Sequence, residues 1–277
     1  MMRWCEVGNE PSTQRFEALS AALTKAGVEN EYSFIEFTGD PEKAFHAAER
    51  FDQVRLSGEA ATRVLNHSLR TPSTLLPLKA ADAYVREKNG EWWPRCFYVD
   101  ALNRTFAQST LDLDFSSGVF ILGANPESRW AIASLSRIGY NKVSLCEPDE
   151  SRGQAFIEDL RKTYFKLQVQ YVPRHLLTQL PGVHAIGINT LIEGRDDGAL
   201  AELFYFNFLK PGGAWLDLAL FPFNLSLEAE AKSVGAMIIP GHRTFAIADS
   251  LWAESLGMSI EVDALTEALA SSTGRLG

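Results

Sequence analysis

The stretch from Phe120 to Trp130, FILGANPESRW, joins an apolar run to a helical pattern through a turn with a single glycine, Gly123. In dinucleotide-binding proteins, glycines at such a turn let the backbone approach a pyrophosphate at the positive end of the following helix. Here Asn125 and Pro126 stand where further glycines are expected, and proline has no backbone N–H to donate. The stretch predicts either an altered pyrophosphate turn or a purely structural turn.

The same turn contains residue types that begin helices. Asn125 is a favoured N-cap residue, and Pro126 is favoured in the first helical turn. We therefore expect a helix from about Glu127 to Ile138. The carboxylate of Glu127 would oppose an anion bound at this helix end.

Two acidic residues follow the next apolar run. Glu147 and Asp149 lie about 24 residues beyond Gly123, where a carboxylate can accept hydrogen bonds from the ribose hydroxyls of adenosine. The same carboxylates would repel a 2′-phosphate, so the pattern favours NAD over NADP as the cofactor. In the alternative interpretation, Asp149 or Ser151 only caps the following helix.

The elements around these residues alternate between apolar strands and helices. Strands are predicted at 118–122, 142–146, 184–188, 213–218 and 236–239, and helices at 127–138, 151–164 and 227–235. Strands that are apolar throughout and separated by helices predict a parallel sheet that is covered on both faces. This is a Rossmann-like, doubly wound α/β domain.

The first part of the chain also mixes strands and helices. Helices are predicted at 15–27, 41–51 and 59–66, strands at 32–37 and 53–56, and a hairpin with strands at 83–85 and 96–99 around Asn89-Gly90. The helical pattern at 244–270 is expected to pack back on this part. We predict an N-terminal α/β domain of residues 1–104 with 242–277, and a second domain of residues 105–241.

Composition narrows the classes of function. The net charge of −9 comes without a basic cluster, so a nucleic-acid partner is not expected. No run of ~18 apolar residues and no signal peptide is found, which predicts a cytoplasmic protein that does not enter membranes. The three cysteines are widely spaced and lack metal-ligand spacing, so neither a disulfide framework nor a metal site is predicted.

Two later fragments complete the set of motifs. One is Ile188-Asn-Thr-Leu-Ile-Glu-Gly194, after a strand, and the other runs from Trp215 through Asp217 and Leu220 to Pro222. Together with the Gly123 turn and the order of elements, they resemble the shikimate dehydrogenase family over most of the chain. In that family an N-terminal substrate domain precedes an NADP-binding Rossmann domain, and the final helices return to the first domain.

The resemblance implies cofactor contacts. The GAGGASR turn that follows a strand in the family is matched at four positions. The family's N-T-x-x-x-G segment corresponds to the segment that begins at Asn189. Leu220 stands where the family's D-x-x-Y-x-P segment has tyrosine. The expected pyrophosphate turn consists of Gly123, Ala124, Asn125, Ser128 and Arg129, with Glu147 and Asp149 near the ribose and Asn189 and Thr190 near the nicotinamide.

The resemblance also implies a reduced set of catalytic and substrate groups. The family moves the proton of the reacting hydroxyl with a lysine and an aspartate. Asp100 resembles the aspartate, whereas the segment nearest to the lysine, residues 53–59, contains none. Ser12 or Thr13 is expected to correspond to the paired substrate-binding serines, and Gly241 to the turn of the closing segment. The family's substrate-binding asparagine and glutamine fall near Ala83 and Ala248.

Two functions follow as hypotheses. The first is a divergent NAD(P)-dependent oxidoreductase that acts on a small hydroxy or keto acid, with ordinary shikimate turnover not expected. The alternative is a protein of the same fold that has lost this chemistry and acts as a binding or regulatory module. In both cases the expected partner is a small molecule, and the expected state is a monomer or a homodimer.

Overall fold

The structure is a computed structural model that describes residues 1–10, 12–66, 70–87, 89–109, 114–191, 206–218 and 225–272. The chain divides into two compact units, one of Met1–Ala101 with Arg243–Gly277 and one of Leu102–His242. Each helix in the described ranges is too short or too polar to cross a bilayer.

Strands and helices alternate along much of the described chain. The strands are β1 (Met2–Gly8), β2 (Asn30–Glu36), β3 (Gln53–Leu56), β4 (Ala83–Arg86), β5 (Trp92–Arg95), β6 (Gly118–Leu122), β7 (Lys142–Cys146), β8 (Gln168–Tyr171), β9 (His184–Asn189), β10 (Leu209–Asp217) and β11 (Met237–Ile239). The helices are α1 (Thr13–Lys25), α2 (Pro41–Ala48), α3 (Gly58–Asn66), α4 (Phe97–Gln108), α5 (Pro126–Ile138), α6 (Glu150–Thr163), α7 (Leu225–Ser233), α8 (Gly241–Ser255) and α9 (Val262–Ser272), with a 3-10 helix at Arg174–Gln179.

The first unit contains a five-stranded sheet in the order β2-β1-β3-β4-β5. The pairs of β1 with β2 and with β3 are parallel, and β4 and β5 continue the sheet antiparallel. Trp4 on β1 packs against Phe16 on α1 and Trp252 on α8, with ring centroids 5.3 Å apart in both pairs. The C-terminal helices therefore complete the core of this unit.

The predicted hairpin is wrong in its second strand. That strand is Trp92–Arg95, and residues 97–99 begin α4 instead. The carboxylate of Asp82 accepts hydrogen bonds from the backbone N–H groups of Phe97 and Tyr98, at 3.0 and 2.7 Å, and so satisfies donors at the start of the helix. Pro94 is compatible with β5 because β5 is an edge strand.

The second unit confirms the predicted doubly wound architecture. Its six strands lie in the order β11-β10-β9-β6-β7-β8, and all five neighbouring pairs are parallel. The chain leaves β6 towards β7 on one side and later returns to β9 on the other. The topological switch point, where ligands bind in such sheets, therefore lies at the carboxyl ends of β6 and β9.

Candidate functional site

Gly123 directly follows the last residue of β6 at the switch point and lies close to the end of β9. Its φ is 107°, and a Cβ on this residue would stand 2.2 Å from Thr190 Oγ1. Both the backbone conformation and the space require glycine. The turn backbone is therefore held against Thr190, whose hydroxyl in turn donates to the carbonyl oxygen of Leu122 at 2.8 Å.

Asn125 caps α5, as predicted. Its Oδ1 accepts from the backbone N–H of Ser128 at 2.9 Å, its Nδ2 donates to the carbonyl oxygen of Thr190 at 3.0 Å, and Pro126 is the first helical residue. The cap therefore occupies the backbone N–H of Ser128, which a phosphate oxygen would otherwise use. Pro126 has no backbone N–H to offer.

The carboxylate of Glu147 lies against the same turn. Glu147 is fully buried at the end of β7, and its Oε2 accepts from the backbone N–H of Ala124 at 2.8 Å. Its Oε1 accepts from the half-exposed guanidinium of Arg152 and, at 3.3 Å, from the backbone N–H of Asp149. Because Glu147 is closed to solvent, a ribose hydroxyl would reach this carboxylate only by displacing the half-exposed guanidinium of Arg152.

Ser128 and Arg129 point in different directions. The buried hydroxyl of Ser128 lies 2.8 Å from the carbonyl oxygen of Gly123 and 2.8 Å from Thr190 Oγ1, so it belongs to the turn. The guanidinium of Arg129 instead pairs with Asp159 on α6 and lies 4.9 Å from the centre of the Phe156 ring. Arg129 thus holds α5 to α6.

Asp149 has the role that the alternative interpretation gave it. It is the N-cap residue of α6, and its side chain accepts from the backbone N–H of Arg152 at 3.1 Å. Of the two predicted ribose acids, Glu147 is therefore the one whose carboxylate lies at the Gly123 turn.

Asn189 and Gly241 lie around Asp217 at the ends of β9 and β10. Asn189 is fully buried and its Nδ2 donates to Asp217 Oδ1 at 3.0 Å. A Cβ at Gly241 would stand 1.8 Å from the carbonyl oxygen of Asp217, so glycine is required there. Residues 192–194, Leu220 and Pro222 of the two later fragments lie outside the described residues.

In the first unit, Ser12 binds an internal carboxylate. Its backbone N–H and its hydroxyl donate to Glu6 at 2.8 and 2.9 Å, and Glu6 also accepts from the hydroxyls of Ser57 at 2.6 Å and Tyr32 at 3.0 Å. Glu6 is fully buried. Burial and the neighbouring Glu6 charge raise the pKa of Tyr32, which keeps it a donor. Thr13, also predicted to bind substrate, is exposed at the start of α1.

A second buried cluster joins two guanidiniums to one carboxylate. Arg15 donates to both oxygens of Asp249 at 2.6 and 2.9 Å, and Arg55 donates to Oδ1 at 2.8 Å. Burial alone would raise the pKa of Asp249, but the charges and hydrogen bonds of the two arginines outweigh it and hold that pKa below its usual range. Both cations are therefore already neutralised in part within the chain.

A further buried acid, Asp82, lies beside this cluster. Burial raises the pKa of Asp82, although the charge of Arg55 and the N–H groups of Phe97 and Tyr98 act in the opposite direction. Asp82 therefore has a raised proton affinity, a property that general acids and bases need. Asp100, the predicted catalytic residue, is exposed on α4.

These buried charges were not identified from the sequence, although a signal for them exists. Glu6 interrupts the apolar run of β1, and Arg55 interrupts that of β3, whose four residues are all buried. A charged residue inside a buried strand needs a partner, and this requirement could have pointed to them. No group of three or more His, Cys, Asp or Glu side chains in the described ranges is placed to hold a metal ion.

The turn fits a dinucleotide at its ribose end better than at its phosphates. Glu147 lies where a ribose is expected, whereas the close approach at Gly123 is to Thr190 and gives a ligand no additional room. Three backbone positions offer no N–H to a pyrophosphate, because Ala124 donates to Glu147, Ser128 donates to Asn125, and Pro126 lacks the group. The residues would hold a nucleotide mainly through its adenosine half.

Comparison with known proteins places this geometry in a structural context. No protein-family model matches the chain, and no curated protein matches it in sequence. Solved structures do match over nearly the whole chain. One is the shikimate 5-dehydrogenase of Thermus thermophilus in complex with NADP(H) and shikimate, with a TM-score of 0.75, 18% identity, and coverage of 98% of this chain and 99% of that one.

Two further structures have different substrates in their names. The quinate dehydrogenase of Corynebacterium glutamicum in complex with NAD has a TM-score of 0.79 and 15% identity, and covers 98% of this chain and 99% of its own. The ligand-free 5-ketofructose reductase of Gluconobacter sp. strain CHM43 has a TM-score of 0.75 and 13% identity, with 98% of each chain covered. These likenesses show that the chain has the two-domain fold of the shikimate and quinate dehydrogenases.

Proposed function

We propose that this protein is a divergent shikimate dehydrogenase-like oxidoreductase that binds a nicotinamide dinucleotide in its second unit. The observation that carries the proposal is the buried carboxylate of Glu147, 2.8 Å from the backbone N–H of Ala124 at the Gly123 turn. The solved structures of the same fold that contain NAD or NADP(H) support this proposal.

NAD is the proposed cofactor. With Arg152 displaced, the Glu147 carboxylate after β7 can accept from the ribose hydroxyls of NAD, and it repels the 2′-phosphate of NADP. Arg152 neutralises part of this charge but is itself bound to Glu147. Asp149 and Glu150 add two further negative charges at the start of α6. The local charge therefore favours NAD.

The proposed substrate is a small hydroxy or keto compound. The sequence led us to expect an acid, and an acid needs a cation or several hydrogen-bond donors. In the described part of the first unit, however, the two buried guanidiniums, Arg15 and Arg55, are bound to Asp249, and the Ser12 hydroxyl donates to Glu6. These pairings favour an uncharged polyol or keto sugar over a carboxylic acid. Asp100 remains the proposed proton-handling or substrate-orienting residue.

A specific observation also favours the alternative, a binding or regulatory module without dehydrogenase activity. The segment where the family has its lysine ends in Glu59, within the first turn of α3, and contains no lysine. Asn125 and Pro126 further reduce the number of phosphate-binding N–H groups at α5. Loss of a proton-transfer group costs about 10²- to 10⁴-fold in rate, so cofactor binding and catalysis must be measured separately.

The first experiment measures cofactor binding. Titration with NAD, NADH, NADP and NADPH by calorimetry is expected to give saturable binding with NAD or NADH tightest. Replacement of the carboxylate in Glu147→Gln should weaken NAD binding about 10-fold and narrow the difference between NAD and NADP. Glu158→Gln, which changes an exposed acid further along α6, is the matched control. If none of the four nucleotides binds at millimolar concentration, the oxidoreductase proposal is wrong.

The second experiment measures turnover. With the preferred nucleotide, hydroxy acids such as shikimate and quinate are compared with uncharged polyols and keto sugars. The substrate proposal predicts a higher kcat/KM for an uncharged compound, and Asp100→Ala should lower kcat. Nucleotide binding without turnover of any compound would favour the binding module.

A further inference from the structure

A groove lies at the opposite end of the second sheet from the Gly123 turn. It has a volume of 630 Å³, within the range of small-molecule sites. It is lined by Ser116, Ser117, Gly118, Lys142, Val143, Ser144, Gln168, Val169, Gln170, Gly182, Val183, His184 and Lys210, and we call it the amino-end groove. Gly118, Lys142 and Gln168 are the first residues of β6, β7 and β8, whereas Gly123 and Glu147 follow the last residues of β6 and β7. The groove is therefore separate from the proposed nucleotide site.

Two ammonium groups converge at this groove. Lys142 Nζ donates to the carbonyl oxygen of Ser116 at 2.9 Å, and Lys210 Nζ donates to Asp114 Oδ2 at 2.7 Å. Both lysines are thus bound to the same short segment, although they come from different strands. None of the residues that line the groove is acidic, in a chain whose net charge is −9.

Asp114 partly offsets these two charges. Besides Lys210, it accepts from the backbone N–H and hydroxyl of Ser116 and from the hydroxyl of Ser117. The Lys210 and serine donors hold the pKa of Asp114 well below its usual range, so it is ionised at neutral pH. Two lysines and one aspartate leave a local charge of about +1, which suits one anionic group.

The floor of the groove is a buried polar chain. His184 is 2% exposed, and its Nδ1 lies 2.9 Å from the carbonyl oxygen of Phe208, which can only accept. Nδ1 therefore carries the proton, and Nε2 of the neutral ring accepts from the hydroxyl of Ser144 at 2.9 Å. Ser144 in turn accepts from Gln170 Nε2 at 2.8 Å. The floor is polar but uncharged, and every hydrogen-bond direction in it is fixed.

Two glycines keep the groove open. A Cβ at Gly118 would stand 3.2 Å from the His184 ring, and one at Gly182 would stand 3.1 Å from the carbonyl oxygens of Asn207 and Leu209. Side chains at these positions would press on the floor and on the neighbouring backbone. Their absence leaves the lysines facing a recess instead of a filled surface.

We propose that the amino-end groove is a second ligand site, which binds a small organic molecule through one phosphate or carboxylate group. Lys142 and Lys210 are the charge partners of that group, and each ammonium has donors beyond the one that it uses within the chain. The polar floor of Ser144, Gln170 and His184 faces the rest of the ligand. Because Lys142 is exposed, we expect millimolar affinity for the anionic group alone.

The test uses inorganic phosphate and acetate as probes, titrated by calorimetry at constant ionic strength. Saturable binding of either supports the site, and the tighter of the two identifies the anionic group. The double variant Lys142→Gln with Lys210→Gln should weaken binding at least 10-fold. Lys142→Gln alone leaves the Lys210–Asp114 pair intact and should weaken it several-fold, which keeps the test valid if the double variant is unstable.

Lys232→Gln is the matched control, because Lys232 also pairs with an acid, Glu228, but lies on α7 and not in the groove. It should bind both probes like the unmodified protein. On saturation, the NMR signals of the His184 ring should shift. The proposal is overturned if neither probe binds up to about 50 mM. It is also overturned if the Lys142→Gln and double variants bind as tightly as the unmodified protein, since the anion would then lie elsewhere.

Discussion

At the scale of single residues, His184 makes the stability of the fold depend on pH. Burial lowers its pKa, although the bond to the Phe208 carbonyl acts in the opposite direction, so the folded chain holds the ring neutral below its ordinary pKa of about 6.5. The unfolded chain binds the proton more readily in that range. The contribution of His184 to stability is therefore complete above about pH 6.5 and is lost as the pH falls from there towards the folded-state pKa.

The direction of this pH dependence can be tested by urea unfolding. The free energy of unfolding should fall between pH 6.5 and 5.5 by no more than about 1.4 kcal/mol on account of His184, and His184→Asn should remove that part of the slope. His175→Asn, which changes an exposed histidine of the 3-10 helix, is the matched control. An NMR titration in which the His184 ring protonates at or above pH 6.5 would contradict the prediction.

The sequence predicted some residues well because their roles are local. Asn125 and Pro126 act on the helix that they begin, and both residue types are typical of helix starts. The partners of Glu6 and Asp249 come from distant segments, and Asp249 lies 234 residues from Arg15. A charge buried by such partners cannot be distinguished from a surface charge in the sequence until the fold is known.

At the scale of elements, the capping of α5 can be measured. Asn125→Ala removes the acceptor for the Ser128 N–H and the donor to the Thr190 carbonyl, so it should lower the free energy of unfolding by about 1 to 2 kcal/mol. Asp149→Ala removes one cap bond from α6 in the same unit and should cost less, about 0.5 to 1 kcal/mol. Equal losses in the two variants, measured by urea denaturation, would show that the bond to Thr190 contributes nothing.

Several elements with regular patterns were predicted with the right bounds, whereas two strands with polar residues were not predicted. The strands at 118–122 and 142–146 have the predicted bounds. No strand was predicted for β1, where Glu6 breaks the apolar run, or for β8, where Gln168 and Gln170 are exposed. The edge position of β8 and the hydroxyl donors to Glu6 in β1 make these strands possible, and neither is visible in a local pattern.

At the scale of the whole molecule, the first unit depends on a charge cluster that joins the two ends of the chain. Asp249→Asn would leave two buried guanidiniums without a full counter-charge, and breaking a buried pair costs about 3 to 5 kcal/mol. Asp263→Asn breaks the exposed pair with Arg243 in the same unit and should cost at most about 1 kcal/mol. Denaturation midpoints of the two variants, compared with the unmodified protein, check the difference.

The same cluster sets an order of events during protein synthesis. Arg55 leaves the ribosome 194 residues before Asp249, which at about 5 to 20 residues per second is a delay of roughly 10 to 40 s. The second unit, Leu102–His242, is continuous and is synthesised completely within that delay. We therefore expect it to fold first, while the residues before it remain without their counter-ion. In nascent chains arrested before residue 243 leaves the ribosome, protease should cut the first 101 residues and spare the segment that follows, and equal cutting of both would refute this order.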